Sequence, residues 1–265
     1  MKLLFWNLEK KEINEEVLEL IQEQEPTIVA FSEGCGINIT DLINSLKSDF
    51  NKNYEYIDTP GCDKIKVLKV SGLNISLMNQ NKDYSLMSYI YNNDTYLLGF
   101  VHLPSKLHQT EEQQRRACER LYKQINLEEV TNDISKSIII GDFNVNPFES
   151  PMLSFSGLAA TNGIDCSLRD SIVSDGETKK LFFNPMWTLY GQYKDRPGSH
   201  RYVKTGVSVA SWHFLDQVII RPLLIEHFDF NELKFISKTS NYSFVNRNGT
   251  PSTSDHLPLV CKFNI

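Results

Sequence analysis

Asp216 is the residue hardest to explain as ordinary structure. It lies in Trp212-His213-Phe214-Leu215-Asp216-Gln217-Val218-Ile219-Ile220, an apolar run that reads as a buried strand. A carboxylate in such a strand needs a partner to offset its desolvation. Other polar groups stand where apolar runs stop. Asn7 follows Leu3–Trp6, Glu33 follows Thr27–Phe31, and Gly141-Asp142-Phe143-Asn144 follows Ile138–Ile140. Ser254-Asp255-His256-Leu257-Pro258 precedes the last apolar run. Active sites tend to be assembled where strands end. Taken singly, each group is as well read as a turn former or a helix cap. Together they make one chemistry. Asn7, Glu33 and Asp255 are hard oxygen donors that suit Mg²⁺ or Mn²⁺, and no Cys/His set points to zinc. An aspartate beside a histidine is what water activation or phosphate polarisation requires.

The flanking pattern supplies elements to position these groups. Leu3–Leu8 reads as a strand and Ile13–Gln24 as a helix with Val17, Leu18 and Ile21 on one face. Thr27–Phe31 is a second strand, and Thr40–Phe50 a helix with Leu42, Ile43 and Leu46 inward. Short strands then recur at Ile65–Val70, Leu73–Met78, Leu86–Tyr91 and Tyr96–Val101. Turns are expected between them at Asn79-Gln80-Asn81 and Asn92-Asn93-Asp94. A long polar helix spans about Thr110–Val130, with Glu/Arg/Lys pairs and Arg115 and Arg116 on its solvent face. The strand Ser137–Ile140 follows, and later strands are expected at Phe214–Arg221 and Leu257–Phe263. No linker or repeat divides the chain, so one domain over 1–265 is expected. Mixed strands with helices outside them suggest an α/β sandwich of two sheets.

Composition narrows the setting. Of 265 residues, 41% are hydrophobic and 23% charged, and the formal charge is −6. No global basic field draws such a chain to nucleic acid, although bound cations and a local basic patch can neutralise phosphate where it matters. The five cysteines are odd in number and form no C-x-x-C pair, which favours a reducing, cytoplasmic compartment over a disulfide framework or zinc knuckle. The opening apolar run Met1–Trp6 stops at Asn7–Lys11, too early for a signal peptide. No stretch is long enough for a membrane span.

Taken in order, Trp6-Asn7, Phe31-Ser32-Glu33, Val101-His102-Leu103-Pro104-Ser105, Gly141-Asp142-Phe143-Asn144, Leu215-Asp216-Gln217 and Ser254-Asp255-His256-Leu257-Pro258 resemble the signature of the endonuclease/exonuclease/phosphatase superfamily. This is the DNase I-like group. The match runs over the whole chain, and the Gly-Asp-Phe-Asn and Ser-Asp-His-x-Pro elements are specific as a pair. The resemblance implies a four-layered α/β sandwich, two packed mixed sheets flanked by helices, with the site at one rim. It implies Glu33 as the main metal ligand, helped by Asn7 and Asp255. Asp142 would orient or deprotonate the attacking water, and Asn144 would hold a phosphate oxygen. His256 would contact the scissile phosphate, with Asp216 fixing its orientation. His102 would be a second phosphate ligand or leaving-group acid. Two departures are visible: the superfamily usually shows Arg-x-Asp where this chain has Phe214-Leu215-Asp216, and Leu-Gln-Glu where it has Phe31-Ser32-Glu33.

Substrate contacts are expected from the irregular stretch Asn184–Ala210. It interleaves Trp187, Tyr190, Tyr193 and Tyr202 with Lys194, Arg196, His200, Arg201 and Lys204. Aromatics among cations can stack bases and grip phosphates; an ordinary solvated loop has the same look. Trp187, Arg196, His200 and Arg201 are the named candidates, with His108 a weaker one. The expected activity is a metal-dependent nuclease or phosphodiesterase acting on DNA or RNA. A phosphatase for a phosphorylated metabolite or lipid headgroup is the alternative, and a silent binding module the third reading.

Overall fold

A computed structural model describes residues 1–107, 109–191, 198–202 and 211–265. Arg196 and its neighbours Tyr193 and Lys194, as well as His108 and Lys204, lie outside the described residues. Two large mixed sheets carry the fold. The first contains Lys2–Asn7 (β1), Ile28–Ser32 (β2), Tyr54–Ile57 (β3), Ile65–Val70 (β4), Phe228–Phe235 (β16) and Leu259–Phe263 (β17), in the order β16-β17-β1-β2-β4-β3. The second contains Asn74–Asn81 (β5), Tyr84–Tyr91 (β6), Asp94–His102 (β7), Lys136–Asp142 (β8), Ala160–Thr161 (β9), Phe182–Phe183 (β12) and Asp216–Ile220 (β15), ordered β5-β6-β7-β8-β15-β12-β9. Two small ribbons pair Ser171–Ser174 (β10) with Glu177–Lys180 (β11), and His200–Arg201 (β13) with Trp212–His213 (β14).

The period-two alternation of a strand decides which side chains fill which layer. Leu98 and Phe100 of β7, Ile138 and Ile140 of β8, and Val218 and Ile220 of β15 enter the core shared with the first sheet. Their neighbours Leu97, Val101, Ile139 and Ile219 point the other way, into a second core under a long helix, Glu111–Thr131 (α3). Helix α3 begins at Thr110 with a capping box closed by Gln113, which satisfies its first free N–H groups. The helices Asn14–Gln24 (α1) and Ile39–Phe50 (α2) cover the other face of the first sheet with Val17, Leu20, Ile21, Leu42 and Leu46. The result is helix, sheet, sheet, helix, the expected sandwich. Leu18, expected to face inward, is half-buried and Leu20 takes the inner position.

One buried ion pair locks α3 to the second sheet. Arg221, just past β15, makes a two-pronged contact with Glu129 at 2.7 and 3.0 Å and donates to the Lys180 and Leu181 carbonyls. Ser137 donates to the same carboxylate at 2.6 Å. Four of the five guanidinium N–H groups are thereby engaged, and both carboxylate oxygens accept, as a buried pair requires.

Two turn and strand expectations are corrected. Asn79-Gln80-Asn81 is the end of β5 rather than a turn. The chain reverses at Lys82-Asp83, where Asn81 Oδ1 accepts from the Asp83 and Tyr84 N–H groups. Nor is Phe214–Arg221 one strand. Phe214 N–H donates to Asn146 Oδ1 and Leu215 O accepts from Phe143 N, so the ladder of β15 begins only at Asp216.

Candidate active site

Register brings the site together. β7 and β8 are parallel with His102 opposite Asp142, and β8 and β15 are antiparallel with Asp142 opposite Asp216. One row across three neighbouring strands of the second sheet therefore carries His102, Asp142 and Asp216. In the first sheet β1 and β2 run parallel with Asn7 opposite Ser32, so Glu33 emerges one residue later at the same end. β17 is antiparallel to β1, so the Ser254-Asp255-His256 loop before it arrives at that end too. Strand order β17-β1-β2 thus sets Asp255, Asn7 and Glu33 on adjacent strands. The two end strands are on the order of 10 Å apart at two strand spacings.

Gly141 shows why the row is so constrained. Its φ is +153°, and a Cβ there would stand 2.1 Å from Val101 O. Three residues on, Asn144 adopts φ +55°. Its N–H returns to Asp142 Oδ1 at 2.8 Å, and its side-chain amide donates to Leu103 O at 2.8 Å, leaving one amide hydrogen. Asn7 Nδ2 donates to the other Asp142 oxygen at 3.1 Å, joining the two sheets at the site. Asn7 Oδ1 takes the Glu9 N–H and keeps a second lone pair. The last loop is anchored on β1: Ser254 Oγ donates to Asn7 O, and Trp6 Nε1 donates to His256 O.

His256 and Asp216 form the electrostatic centre. Asp216 is fully buried, and its Oδ2 lies 2.6 Å from His256 Nδ1. Burial alone would lower the imidazole. The Asp216 charge and hydrogen bond, reinforced by Asp142 and Asp255, outweigh it and push the imidazole up to about 10. Burial conversely raises the Asp216 carboxyl, with the imidazolium opposing that rise. His256 Nε2 makes no hydrogen bond among the described residues and stands 4.0 Å from Asp142 Oδ2 and 3.9 Å from Asp255 Oδ1. On the other side His102 Nε2 stands between Glu33 Oε1 at 3.6 Å and Asp142 Oδ2 at 3.7 Å.

The oxygen donors fit a divalent cation. Glu33 holds a left-handed backbone, φ 50°, and its carboxylate stays partly exposed. Among the described residues neither the Glu33 nor the Asp255 carboxylate accepts a hydrogen bond from a side chain or backbone, and both stand at the rim. Burial works to raise the Asp255 carboxyl, but His200 and His256 beside it hold it below the usual range. Uncommitted carboxylates with an amide oxygen between them are a hard-cation donor set.

The expected substrate residues divide. His200 lies beside the centre, its ring 4.8 Å from that of His256 and its Nε2 3.7 Å from Asp255. Arg201 turns toward Thr250 and the Trp212 ring. Trp187 begins a short helix, Trp187–Tyr190, and packs near Tyr190; no contact joins it to the carboxylates among the described residues. Three residues at the site went unnamed in the sequence. Ser199 Oγ accepts the Asp216 N–H. Glu9 Oε2 accepts the Asp255 N–H. Asn146 ties Phe214 N, Glu149 and His213 Nδ1 together. Only Asn146 carried a signal, since it continues Gly-Asp-Phe-Asn as Val145-Asn146-Pro147.

No protein-family model matches the sequence, and no curated protein matches it. Solved structures do match in fold. A truncated TDP2 from Caenorhabditis elegans is similar with a TM-score of 0.60 at 13% identity, covering 99% of this chain and 96% of that one. An AP endonuclease from Archaeoglobus fulgidus is similar at 0.58 and 14%, covering 100% of both. A Bacteroides thetaiotaomicron protein of the endonuclease/exonuclease/phosphatase family is similar at 0.56 and 12%, covering 98% and 96%. The chain has the DNase I-like fold that these structures share.

Proposed function

We propose that this protein, as one domain, is a Mg²⁺- or Mn²⁺-dependent phosphodiesterase that hydrolyses nucleic acid. The observation that carries the reading is the buried Asp216–His256 pair presenting Nε2 toward the carboxylate of Asp142. That pairing of an imidazolium with a nearby general base suits in-line attack of water at phosphorus. Asp142, held by Asn7 and by the Asn144 backbone, orients the water and takes its proton. His256 offers its Nε2 proton to a non-bridging phosphate oxygen, and Asp216 fixes ring and tautomer. His102 faces the same space and either steadies the phosphate or protonates the departing oxygen. The remaining Asn144 amide hydrogen reaches for a phosphate oxygen. Glu33, Asn7 and Asp255 would hold the cation, which neutralises phosphate charge and acts as a Lewis acid.

Nucleic acid is favoured over a small ester by the similarity to the fold of an AP endonuclease. The lysines next to Glu33 add little to that preference: Lys11 pairs with Glu9 at 2.7 Å, Lys64 stands 3.8 Å from Asp83, and Lys66 donates to Ile37 O. The test is hydrolysis of plasmid, single-stranded DNA, RNA, bis-p-nitrophenyl phosphate and p-nitrophenyl phosphate, with Mg²⁺ or Mn²⁺ and with EDTA. Metal-dependent cleavage of a polynucleotide, reduced on the order of 10²-fold or more in Asp142→Asn, supports the proposal. Turnover confined to the monoester would replace it with a small-molecule phosphatase.

A further inference from the structure

Beside this centre three side chains converge without bonding to one another. His200 Nε2 stands 3.7 Å from Asp255 Oδ2, and His256 Nε2 stands 3.9 Å from Asp255 Oδ1. One donor atom from each residue falls within 4.8 Å of the other two. Gaps of this size are too long for hydrogen bonds. A four-coordinate ion with bonds of about 2.0–2.2 Å separates its ligands by roughly 3.4 Å. The contacts to Asp255, one to each carboxylate oxygen, exceed that spacing by a few tenths of an ångström, and the edge between the two imidazoles, within 4.8 Å, closes by up to about 1.4 Å when an ion binds. We propose that His200, Asp255 and His256 form a second metal site, selective for a transition ion such as Zn²⁺ or Co²⁺ over Mg²⁺, whose occupation inhibits hydrolysis.

The surroundings are built for such a site. The other nitrogen of His256 already engages Asp216 at 2.6 Å, the carboxylate–imidazole arrangement that orients a metal-bound histidine and raises its basicity. His200 is held by a backbone bridge to His256, and Leu257 N donates to Ser199 O, so paired main chain presents both rings. The buried Nδ1 of His200 has no partner, and no hydrogen bond engages its ring among the described residues. Asp142 Oδ2, 4.0 Å from His256 Nε2, adds negative potential that favours a dication. Two imidazoles and a carboxylate suit Zn²⁺ or Co²⁺, whereas Mg²⁺ prefers an octahedron of oxygens. Inhibition follows because the ion displaces the Nε2 proton of His256 to solvent and occupies the atom that the proposed function directs at phosphate. That consequence rests on the proposed function, but the binding site does not.

The experiment separates the two. Metal-free protein is titrated with Co²⁺ and the visible absorption of four-coordinate cobalt is recorded. The expected result is an intense band saturating at one equivalent and bleached by Zn²⁺; because the two donor sets share Asp255, Mg²⁺ weakens it only in large excess over Co²⁺. His200→Ala, with unchanged circular dichroism, loses the band; affinity falls by more than the roughly 10- to 100-fold that disturbing an outer-shell partner costs. Glu33→Gln keeps the band, because Glu33 belongs to the other donor set. Absence of the band in the parent protein, its survival in His200→Ala, or its loss in Glu33→Gln overturns the site. In the second arm Zn²⁺ is added to Mg²⁺-supported hydrolysis. Inhibition weakened in His200→Ala is expected, and a band without inhibition overturns the regulatory role. If no phosphoester is cleaved at all, the proposed function fails while the cobalt titration still decides the site.

Discussion

Replacing Asp216 by asparagine removes one charge from a fully buried position while keeping nearly the same volume. In the parent protein, burial works to lower the His256 imidazole, and Asp216 leads the groups that instead push it up to about 10. The ordinary value is 6.5, and each pH unit corresponds to about 1.4 kcal/mol, so the pair favours imidazolium by several kcal/mol. The amide cannot supply that field, and its NH₂ can impose the wrong tautomer. We expect kcat to fall on the order of 10²- to 10⁴-fold, the range for removing an orienting carboxylate from an acid–base pair. The alkaline limb assigned to His256 should move from about 10 down toward the ordinary imidazole range. Stability should respond with the same sign. A raised folded-state pKa contributes stability that is complete below about 6.5 and is lost as pH rises through about 10. Urea denaturation across that window should therefore show the parent losing stability with rising pH and Asp216→Asn changing less. A variant that folds, keeps the parental limb and turns over normally would refute the role given to Asp216.

Further tests address the scaffold and the cation. Glu33→Ala should chiefly raise the Mg²⁺ concentration required for half-maximal activity; an unchanged metal titration would remove Glu33 from the donor set. Gly141→Ala should destabilise by roughly 2–4 kcal/mol, combining overpacking with backbone strain, because its Cβ would meet Val101 O at 2.1 Å. A urea midpoint equal to the parent's would contradict that geometry. Arg221→Ala should cost roughly 3–5 kcal/mol by stranding the buried Glu129 carboxylate. It should leave kcat nearly unchanged in the folded fraction, since Arg221 follows the end of β15 opposite to Asp216. Equal losses in stability and kcat would show that the ion pair reaches the site.

Much of the fold was readable because its signals are local. Ile65–Val70 is bounded as the apolar run suggested, and Asn92-Asn93 turns the β6–β7 hairpin with both residues at positive φ. Helix α3 starts at its Thr110 capping box. The edge strands Tyr54–Ile57 and Phe228–Phe235 were missed. An edge strand faces water along one side, so charged residues such as Glu55, Glu232 and Lys234 interrupt the apolar pattern that marks central strands. Asn79-Gln80-Asn81 misled for a related reason. Polar residues suggest a turn, yet β5 is itself an edge and tolerates them.

Residue type and order by themselves determined the sandwich, the chemistry of its polar strand ends and the need of Asp216 for a partner. Which groups meet was decided only by tertiary structure. Asp216 finds His256 across 40 positions and Asn7 finds Asp142 across 135. Such pairs depend on strand register, on the Gly141 approach to Val101 and on the packing of one sheet against the other. His200 illustrates the gap most clearly. It reads as one cation-rich loop residue among several, and only the bridge to His256 sets its ring against Asp255. Local sequence carries backbone preference and polarity, whereas distances between remote side chains are fixed by how whole sheets pair and pack.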